Sequence, residues 1–185
     1  MIDDVLSECR HKMQASVQAL KEDLSQIRTG RASPGLVEKL EVEYYGQPTP
    51  LIQLASISVP EPRQLLIRPF DANSVGEIEK AILTSDLGLT PNNDGKVIRL
   101  NLPMLTEERR KDLVKQVGHR AEEARIAIRN IRQTANKDLR ELESEKMISE
   151  DDLERGEKEV QQLTEDTNDE IEKIAEGKEK EVMEV

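Results

Sequence analysis

The sequence has few of the residues that most often build metal sites and enzyme active sites. Its 185 residues include one cysteine, two histidines and no tryptophan. Cys9 has no partner for an internal disulfide, which fits a reducing compartment. His11 and His119 lack a cysteine partner at metal-ligand spacing, so we predict no metal and no other cofactor. No Gly-rich phosphate loop follows a strand and no nucleophile has a base nearby in the sequence, so we predict that the protein is not an enzyme.

Aromatic residues and long apolar runs are also scarce. The only aromatic residues are Tyr44, Tyr45 and Phe70, all in one middle segment, so the helical parts must pack with aliphatic side chains. No apolar run approaches the length of a membrane span, and the acidic start of the chain differs from a signal or transit peptide. These features predict a cytoplasmic protein that does not bind membranes.

Three segments repeat apolar residues every three or four positions, as amphipathic helices do. The first covers about 27 residues from Ile2 and stops at Gly30. The second covers about 40 residues from Thr106, which precedes two glutamates and is a suitable helix cap. The third begins at Ser149, again with acids in the first turn, and covers about 34 residues. None of the three buries its apolar side alone, so we predict a long antiparallel three-helix bundle.

Between the first two helices the apolar period changes to that of a β-strand. Alternation predicts one strand ending at Tyr44, two more over residues 51–59 and 64–70, and another from Lys96 to Leu102. Residues 46–50, with one glycine and two prolines, are predicted to form a turn or an extended loop. A short helix capped by Asn73 or Ser74 separates the last two of these strands. We therefore predict an α+β fold. The predicted domains are the bundle, residues 1–30 and 106–185, and an inserted β/α/β domain, residues 32–104.

The two connections between the predicted domains are short and rich in turn-forming residues. Such tethers suit two arms that reorient about a hinge. We place the hinges at residues 30–35 and 103–106. The hinge residues are Gly30, Arg31, Ala32, Ser33, Pro34, Pro103, Met104, Leu105 and Thr106.

Charge is distributed unevenly along the chain. The formal net charge is -11. Residues 133–185 hold 8 basic and 19 acidic groups, whereas residues 105–132 hold 8 basic and 5 acidic groups. An acidic protein with one basic region approaches a polyanion in a single orientation, because the rest of its surface is repelled.

Three arginines define a stripe within this basic region. Arg125, Arg129 and Arg132 are 4 and 3 residues apart, so on a helix they share an arc of about 60° beside the apolar face. One interpretation is a solvated face with intrahelical pairs such as Glu122 with Arg125. The other is a surface that binds nucleic acid, which the charge distribution favours.

Several segments resemble, in order, those of the bacterial ribosome recycling factor family. The resemblance covers the whole chain and depends on several long motifs in register. These segments are Ile27–Pro34, Val42–Gly46, Pro48–Leu51, Leu54–Ser56, Ser85–Leu89, Leu105–Lys111, Ala127–Arg132 and Ile148–Asp152.

The resemblance implies an L-shaped protein that acts after translation termination. With elongation factor G and GTP, such a protein splits the post-termination ribosome into subunits and so releases mRNA and tRNA. Its bundle would lie on 23S rRNA of the large subunit near the intersubunit bridges. A helical adaptor or holdase that grips partner proteins is the alternative, and a fully used bundle core favours a monomer in either case. The expected rRNA contacts are Arg28, Arg31, Arg110, Arg125, Arg129 and Arg132.

Overall fold

A computed structural model describes residues 1–184 of the chain. The chain forms two compact units. One unit comprises Met1–Thr29 together with the residues from Thr106 onward, and the other comprises Gly30–Leu105. The helices are α1 (Ile2–Ser25), α2 (Val75–Thr84), α3 (Glu107–Ser144) and α4 (Glu150–Met183).

The discontinuous unit is a bundle of α1, α3 and α4. α3 runs antiparallel to α4, because Arg140 near its end pairs with Glu157 near the start of α4, at 2.8 Å between Nε and Oε1. α1 and α4 run parallel, since Ile2 at the start of α1 lies beside Gly156 near the start of α4. Further along both helices, Lys21 pairs with Glu170 at 3.9 Å between Nζ and Oε1. The predicted antiparallel three-helix bundle is therefore confirmed.

The bundle core is built from aliphatic side chains, with one cysteine. On α3 the predicted apolar face is buried along most of its length, and Val117, Ile128 and Leu139 are fully buried. No aromatic side chain takes part among the described residues, so close packing depends on interdigitating aliphatic groups. The buried core comprises Leu6, Cys9, Met13, Val17, Leu20, Leu24, Val117, Ala121, Ala124, Ile128, Ala135, Leu139, Val160, Ile171 and Ala175.

Capping side chains fix where the two longest helices begin. The Thr106 hydroxyl accepts a hydrogen bond from the Arg109 amide at 3.1 Å. Ser149 and Asp152 form a capping box, in which each side chain accepts a hydrogen bond from the other residue's amide at 3.1 and 3.2 Å. Both caps satisfy amides that have no partner inside the helix. The predicted helix starts are confirmed.

The first helix is shorter than its apolar pattern predicts. α1 ends at Ser25, although the pattern continues to Ile27. The Ile27 side chain still packs on the bundle core while its backbone has left the helix. Arg28 therefore lies in the segment after α1 and not on a helix.

The continuous unit, Gly30–Leu105, combines a hairpin, a four-stranded antiparallel sheet and α2. β1 and β2 form the hairpin, and the sheet order is β3-β4-β6-β5. The core of this unit includes Val75, Ile78 and Ile82 of α2 and Leu65 of β4. The strands are β1 (Glu41–Tyr44), β2 (Gln47–Pro50), β3 (Ala55–Glu61), β4 (Gln64–Pro69), β5 (Pro91–Asn93) and β6 (Ile98–Asn101).

Three parts of this unit differ from the prediction. Leu51–Gln53, expected to begin a strand, is a single 3-10 turn, and β3 starts only at Ala55. The Pro-rich segment Gln47–Pro50 is strand β2, because its backbone pairs with β1. Pro91–Asn93, which lies outside the predicted strands, is edge strand β5 on β6, a position where proline is tolerated.

Candidate nucleic-acid interface

The arginine stripe (Arg125, Arg129 and Arg132) lies on one continuous helix of 38 residues. The buried Ala124, Ile128 and Ala135 lie on the neighbouring face of that helix and fix it to the bundle core. The guanidinium groups are therefore carried by a rod of about 57 Å, at about 1.5 Å per residue. A rigid support preserves the spacing between the three groups.

The three guanidinium groups differ in what they contact. Arg125 donates to Glu122 at 3.3 Å between Nη1 and Oε2, which is the intrahelical pair considered from the sequence. Arg129 is exposed and Arg132 is half-buried. Within residues 1–184, neither Arg129 nor Arg132 makes an ion pair or a side-chain hydrogen bond. Two of the three stripe arginines thus have no protein partner among the described residues.

A groove between α3 and α4 continues from the stripe. It encloses about 500 Å³ and is lined by Arg132, Asn136 and Arg140 of α3 and by Gln161 of α4, among others. The carbonyl oxygen of the Asn136 side chain is buried without a hydrogen-bond partner among the described residues. Sequence reasoning missed this groove. Asn136 follows Arg132 by one helical turn, so its place beside the stripe could have been predicted from the sequence. The place of Gln161 could not, because it depends on how α4 packs against α3.

Arg28 and Arg110 belong to the helical unit but not to the stripe. α1 ends where the antiparallel α3 begins, so both lie toward the same end of this unit. At 100° per residue, Arg110 is about 40° to 100° from the stripe and aligns with the apolar face of α3. Arg110 is half-buried, and its Nε is buried with no hydrogen-bond partner in residues 1–184. Arg31 is exposed and belongs to the other unit.

The predicted hinge residues include the ends of the Gly30–Leu105 unit. Gly30 has φ +76°, in the left-handed region that favours glycine. A Cβ on Gly30 would lie 3.2 Å from the Leu105 Cγ, so the first and last residues of this unit are in close approach. The Ala32 amide donates to the Pro62 carbonyl at 2.7 Å. The chain thus enters and leaves this unit at neighbouring points.

Two further findings concern the kinds of site that the described residues contain. Within residues 1–184, no helix combines the length and apolar character that crossing a membrane requires. The same part of the chain has no group of three or more His, Cys, Asp or Glu side chains placed to hold a metal ion.

The fold defines a class of α+β proteins in which a small mixed unit interrupts a three-helix bundle. A family model described as ribosome recycling factor matches residues 20–183. The chain belongs to the ribosome recycling factor family. It is therefore a non-enzymatic factor, as the sequence predicted.

Named relatives align with this chain over its full length. The chain is 54% identical to the ribosome-recycling factor of Syntrophomonas wolfei subsp. wolfei and 56% identical to that of Chloroflexus aurantiacus, with 100% of each chain covered in both cases. The sequence-based family assignment is confirmed. The adaptor or holdase alternative finds no support among these relatives.

Two solved structures are similar to the whole chain. A solution structure of the ribosome recycling factor has a TM-score of 0.76 and 45% identity, covering 100% of this chain and 98% of that one. The second has a TM-score of 0.64 and 45% identity, with 100% of both chains covered. It is described as models of the T. thermophilus ribosome recycling factor and the E. coli elongation factor G bound to the E. coli post-termination complex.

Proposed function

We propose that this protein recycles the ribosome after translation termination. It acts in the cytoplasm as a monomer, and with elongation factor G and GTP it splits the post-termination ribosome into subunits. mRNA and tRNA are released as a result. Membership of the ribosome recycling factor family supports this function. The similar protein bound with elongation factor G to a post-termination complex supports the ribosome and elongation factor G as partners.

The anchor on the ribosome is the arginine stripe, which binds phosphates of 23S rRNA on the large subunit near the intersubunit bridges. The single observation that carries this assignment is the absence of any protein partner for Arg129 and Arg132 among the described residues. A planar guanidinium binds two phosphate oxygens at once and so fixes orientation as well as position. The described part of the bundle has no aromatic side chain for base stacking, so it reads the shape and backbone of duplex RNA.

The remaining arginines contribute unequally. Arg110 is a further contact, because its buried Nε has no protein partner and gains a hydrogen bond from an anionic ligand. Arg28 and Arg31 are exposed contacts near the ends of their units. Arg125 has to exchange Glu122 for a phosphate. Exposed pairs of this kind contribute little, so the exchange costs about 0 to 1 kcal/mol.

Charge outside the stripe sets the direction of approach. Residues 133–185 carry 19 acidic and 8 basic groups, and most of them belong to α4. rRNA repels this surface and attracts the basic part of α3, so the bundle reaches the large subunit with the stripe forward. The effect weakens as salt screens the charges.

The hinges at residues 30–35 and 103–106 let the second unit follow elongation factor G while the bundle stays on rRNA. Two backbone crossings, after Thr29 and after Leu105, join the units. The left-handed Gly30 beside Leu105 supports this assignment, because a hinge concentrates its φ and ψ changes in a few residues. The free energy for splitting comes from the partner's GTP hydrolysis, and no reaction is catalysed on this protein.

The test is light scattering of post-termination ribosomes with elongation factor G and GTP. The wild-type protein is expected to lower scattering as subunits separate, and the Arg129→Ala, Arg132→Ala double variant is expected to lose that activity at matched concentration. The control is Arg155→Ala with Lys158→Ala on α4. It makes the same change in net charge but removes side chains that already pair with Asp152 and Glu154.

Equal loss of splitting in both double variants would show that net charge matters and the stripe does not. Unchanged splitting by the stripe variant would show that the stripe is a solvated face and does not anchor the protein on rRNA. No scattering change with wild type would overturn the function itself. Circular dichroism and thermal unfolding of each variant establish that the bundle is intact.

A further inference from the structure

Two tyrosines share one carboxylate in the Gly30–Leu105 unit, and the third aromatic residue of the chain is next to that carboxylate in the sequence. The hydroxyls of Tyr44 and Tyr45 donate to Oδ2 of Asp71 at 3.3 and 3.4 Å. The two rings meet edge to face with centroids 4.5 Å apart. Phe70 directly precedes Asp71. Burial and the nearby Asp71 carboxylate raise the pKa of Tyr44.

Two of these aromatic side chains are displayed to solvent. Tyr45 is 79% exposed and Phe70 is 72% exposed, more than any other large apolar side chain among residues 1–184. The core of this unit is complete without them, since neither ring belongs to it. Exposed aromatic rings contribute little to folding stability, whereas rings that become buried at an interface contribute much of its binding energy.

Tyr45 also occupies a backbone position that does not suit it. Tyr45 and Gly46 form the two-residue turn between β1 and β2, and both have positive φ, at 48° and 77°. Turns of this kind favour asparagine or aspartate before the glycine. A tyrosine with positive φ is strained, and such strain concentrates at functional positions. The turn displays an aromatic ring at a cost in local stability.

The charge around the cluster selects the partner. Residues 41–50 and 69–79 carry five carboxylates, and the basic residues Lys39, Arg68 and Lys80 border these segments. The carboxylates are Glu41, Glu43, Asp71, Glu77 and Glu79. The excess of negative charge disfavours RNA as the partner. A lysine or arginine side chain is attracted by the carboxylates and by the faces of the rings.

We propose that Tyr45, Phe70 and Asp71 form a docking site for a lysine- or arginine-rich segment of a protein partner. The cation lies over an aromatic face with the Asp71 carboxylate nearby. This inference rests on the proposed function, because the partner is sought among the components of the recycling reaction.

Photocrosslinking tests the site directly. Phe70 is replaced by p-benzoylphenylalanine, and the full-length protein is irradiated on post-termination ribosomes with elongation factor G and GTP. Mass spectrometry then identifies the crosslinked molecule. The matched control carries the same group at Leu83, which is 58% exposed on the same unit at the far end of α2. We expect a Phe70 crosslink to a protein segment rich in lysine and arginine, above the level at Leu83.

Two second-site variants separate cation recognition from apolar contact. Tyr45→Asn removes the ring but suits the turn, and it is expected to lower crosslinking about 2- to 30-fold, the range for a cation–π contact. Asp71→Asn removes the charge while keeping an acceptor for the Asn73 amide, which Asp71 binds at 2.9 Å. It is expected to lower crosslinking about 2- to 5-fold, as for one exposed ion pair.

Several outcomes overturn the inference. It is overturned by a crosslink to RNA, by a crosslink to a protein segment without excess basic residues, or by a crosslinking yield no higher than at Leu83. An unchanged crosslinking yield with Tyr45→Asn also overturns it. Light scattering on the same ribosomes separates failure of the docking site from failure of the proposed function. If the wild-type protein splits the ribosomes, only the docking site is refuted. If it does not split them, the proposed function fails.

Discussion

Replacing Gly156 with alanine is predicted to destabilise the helical unit, although alanine is the better helix former. Gly156 is buried in α4 against α3. A Cβ at this position would lie 3.0 Å from Cδ1 and 3.3 Å from Cδ2 of Leu139. It would also lie 3.7 Å from Cγ2 of Ile2. Carbon atoms prefer separations of about 3.5 to 4.0 Å, so Leu139 has to move by about half an ångström.

Leu139 has little room to make that movement. Its side chain is fully buried, and overpacking of a well-packed core costs about 1 to 3 kcal/mol. The gain in helix propensity from glycine to alanine offsets about 1 kcal/mol of this cost. The expected net effect of Gly156→Ala is a loss of about 0 to 2 kcal/mol in the free energy of unfolding.

Gly177 is the matched control within the same helix. A Cβ at Gly177 meets no atom within 4 Å, so Gly177→Ala should raise the free energy of unfolding by up to about 1 kcal/mol. The difference between the two variants isolates the steric cost, because the propensity gain is common to both. Urea unfolding followed by circular dichroism measures each value. Equal stabilisation by both substitutions would refute the close approach of α4 to Leu139.

Further predictions concern the cap of α4, its pH dependence and the buried thiol. Ser149→Ala removes the hydroxyl that accepts from the Asp152 amide and should cost about 0.5 to 2 kcal/mol in urea unfolding; no loss would mean that the cap is not formed. Hydrogen bonds from the Ser149 side chain and amide hold the pKa of Asp152 below its ordinary value of 3.8. The contribution of Asp152 to the free energy of unfolding is therefore present above its unfolded-state pKa and lost as pH falls through its folded-state pKa. The stability gap between wild type and Asp152→Ala should close below about pH 4, and a constant gap would contradict this. Cys9 is buried and burial raises the pKa of its thiol, so iodoacetamide should modify the native protein far more slowly than the urea-unfolded protein; equal rates would place Cys9 at the surface.

The helices of this protein are predictable because their information is local. The capping box of Ser149 and Asp152 lies within four consecutive residues, and the apolar period continues to the end of α4. The end of α1 was misplaced for a physical reason. Ile27 keeps the apolar period and packs on the core after the backbone has left the helix, so periodicity alone does not locate the end.

The short strands were less predictable because their pairing is nonlocal. Pro91–Asn93 becomes a strand only because β6 supplies hydrogen-bond partners, and its proline and asparagines carry the signal of a turn. β2 likewise contains two prolines and depends on pairing with β1. Such segments are assigned by the tertiary fold and not by intrinsic propensity.

The candidate interface was only partly readable from spacing. The spacing of Arg125, Arg129 and Arg132 placed them on one side of α3, and the pair of Glu122 with Arg125 was one of the two interpretations. Spacing did not reveal that Arg129 and Arg132 lack partners among the described residues, since that depends on which α4 side chains lie opposite. The position of Arg110 on the apolar face follows from helical geometry.

The salt dependence of binding to purified large ribosomal subunits tests the central claim most directly. Log affinity is measured against log salt concentration for wild type, for the Arg129→Ala, Arg132→Ala variant and for the Arg155→Ala, Lys158→Ala control. If the stripe binds phosphates, the slope for the stripe variant should be shallower by about 2, at about one unit for each lost contact, and the control should keep the wild-type slope. A stripe variant with the wild-type affinity and slope would contradict the account.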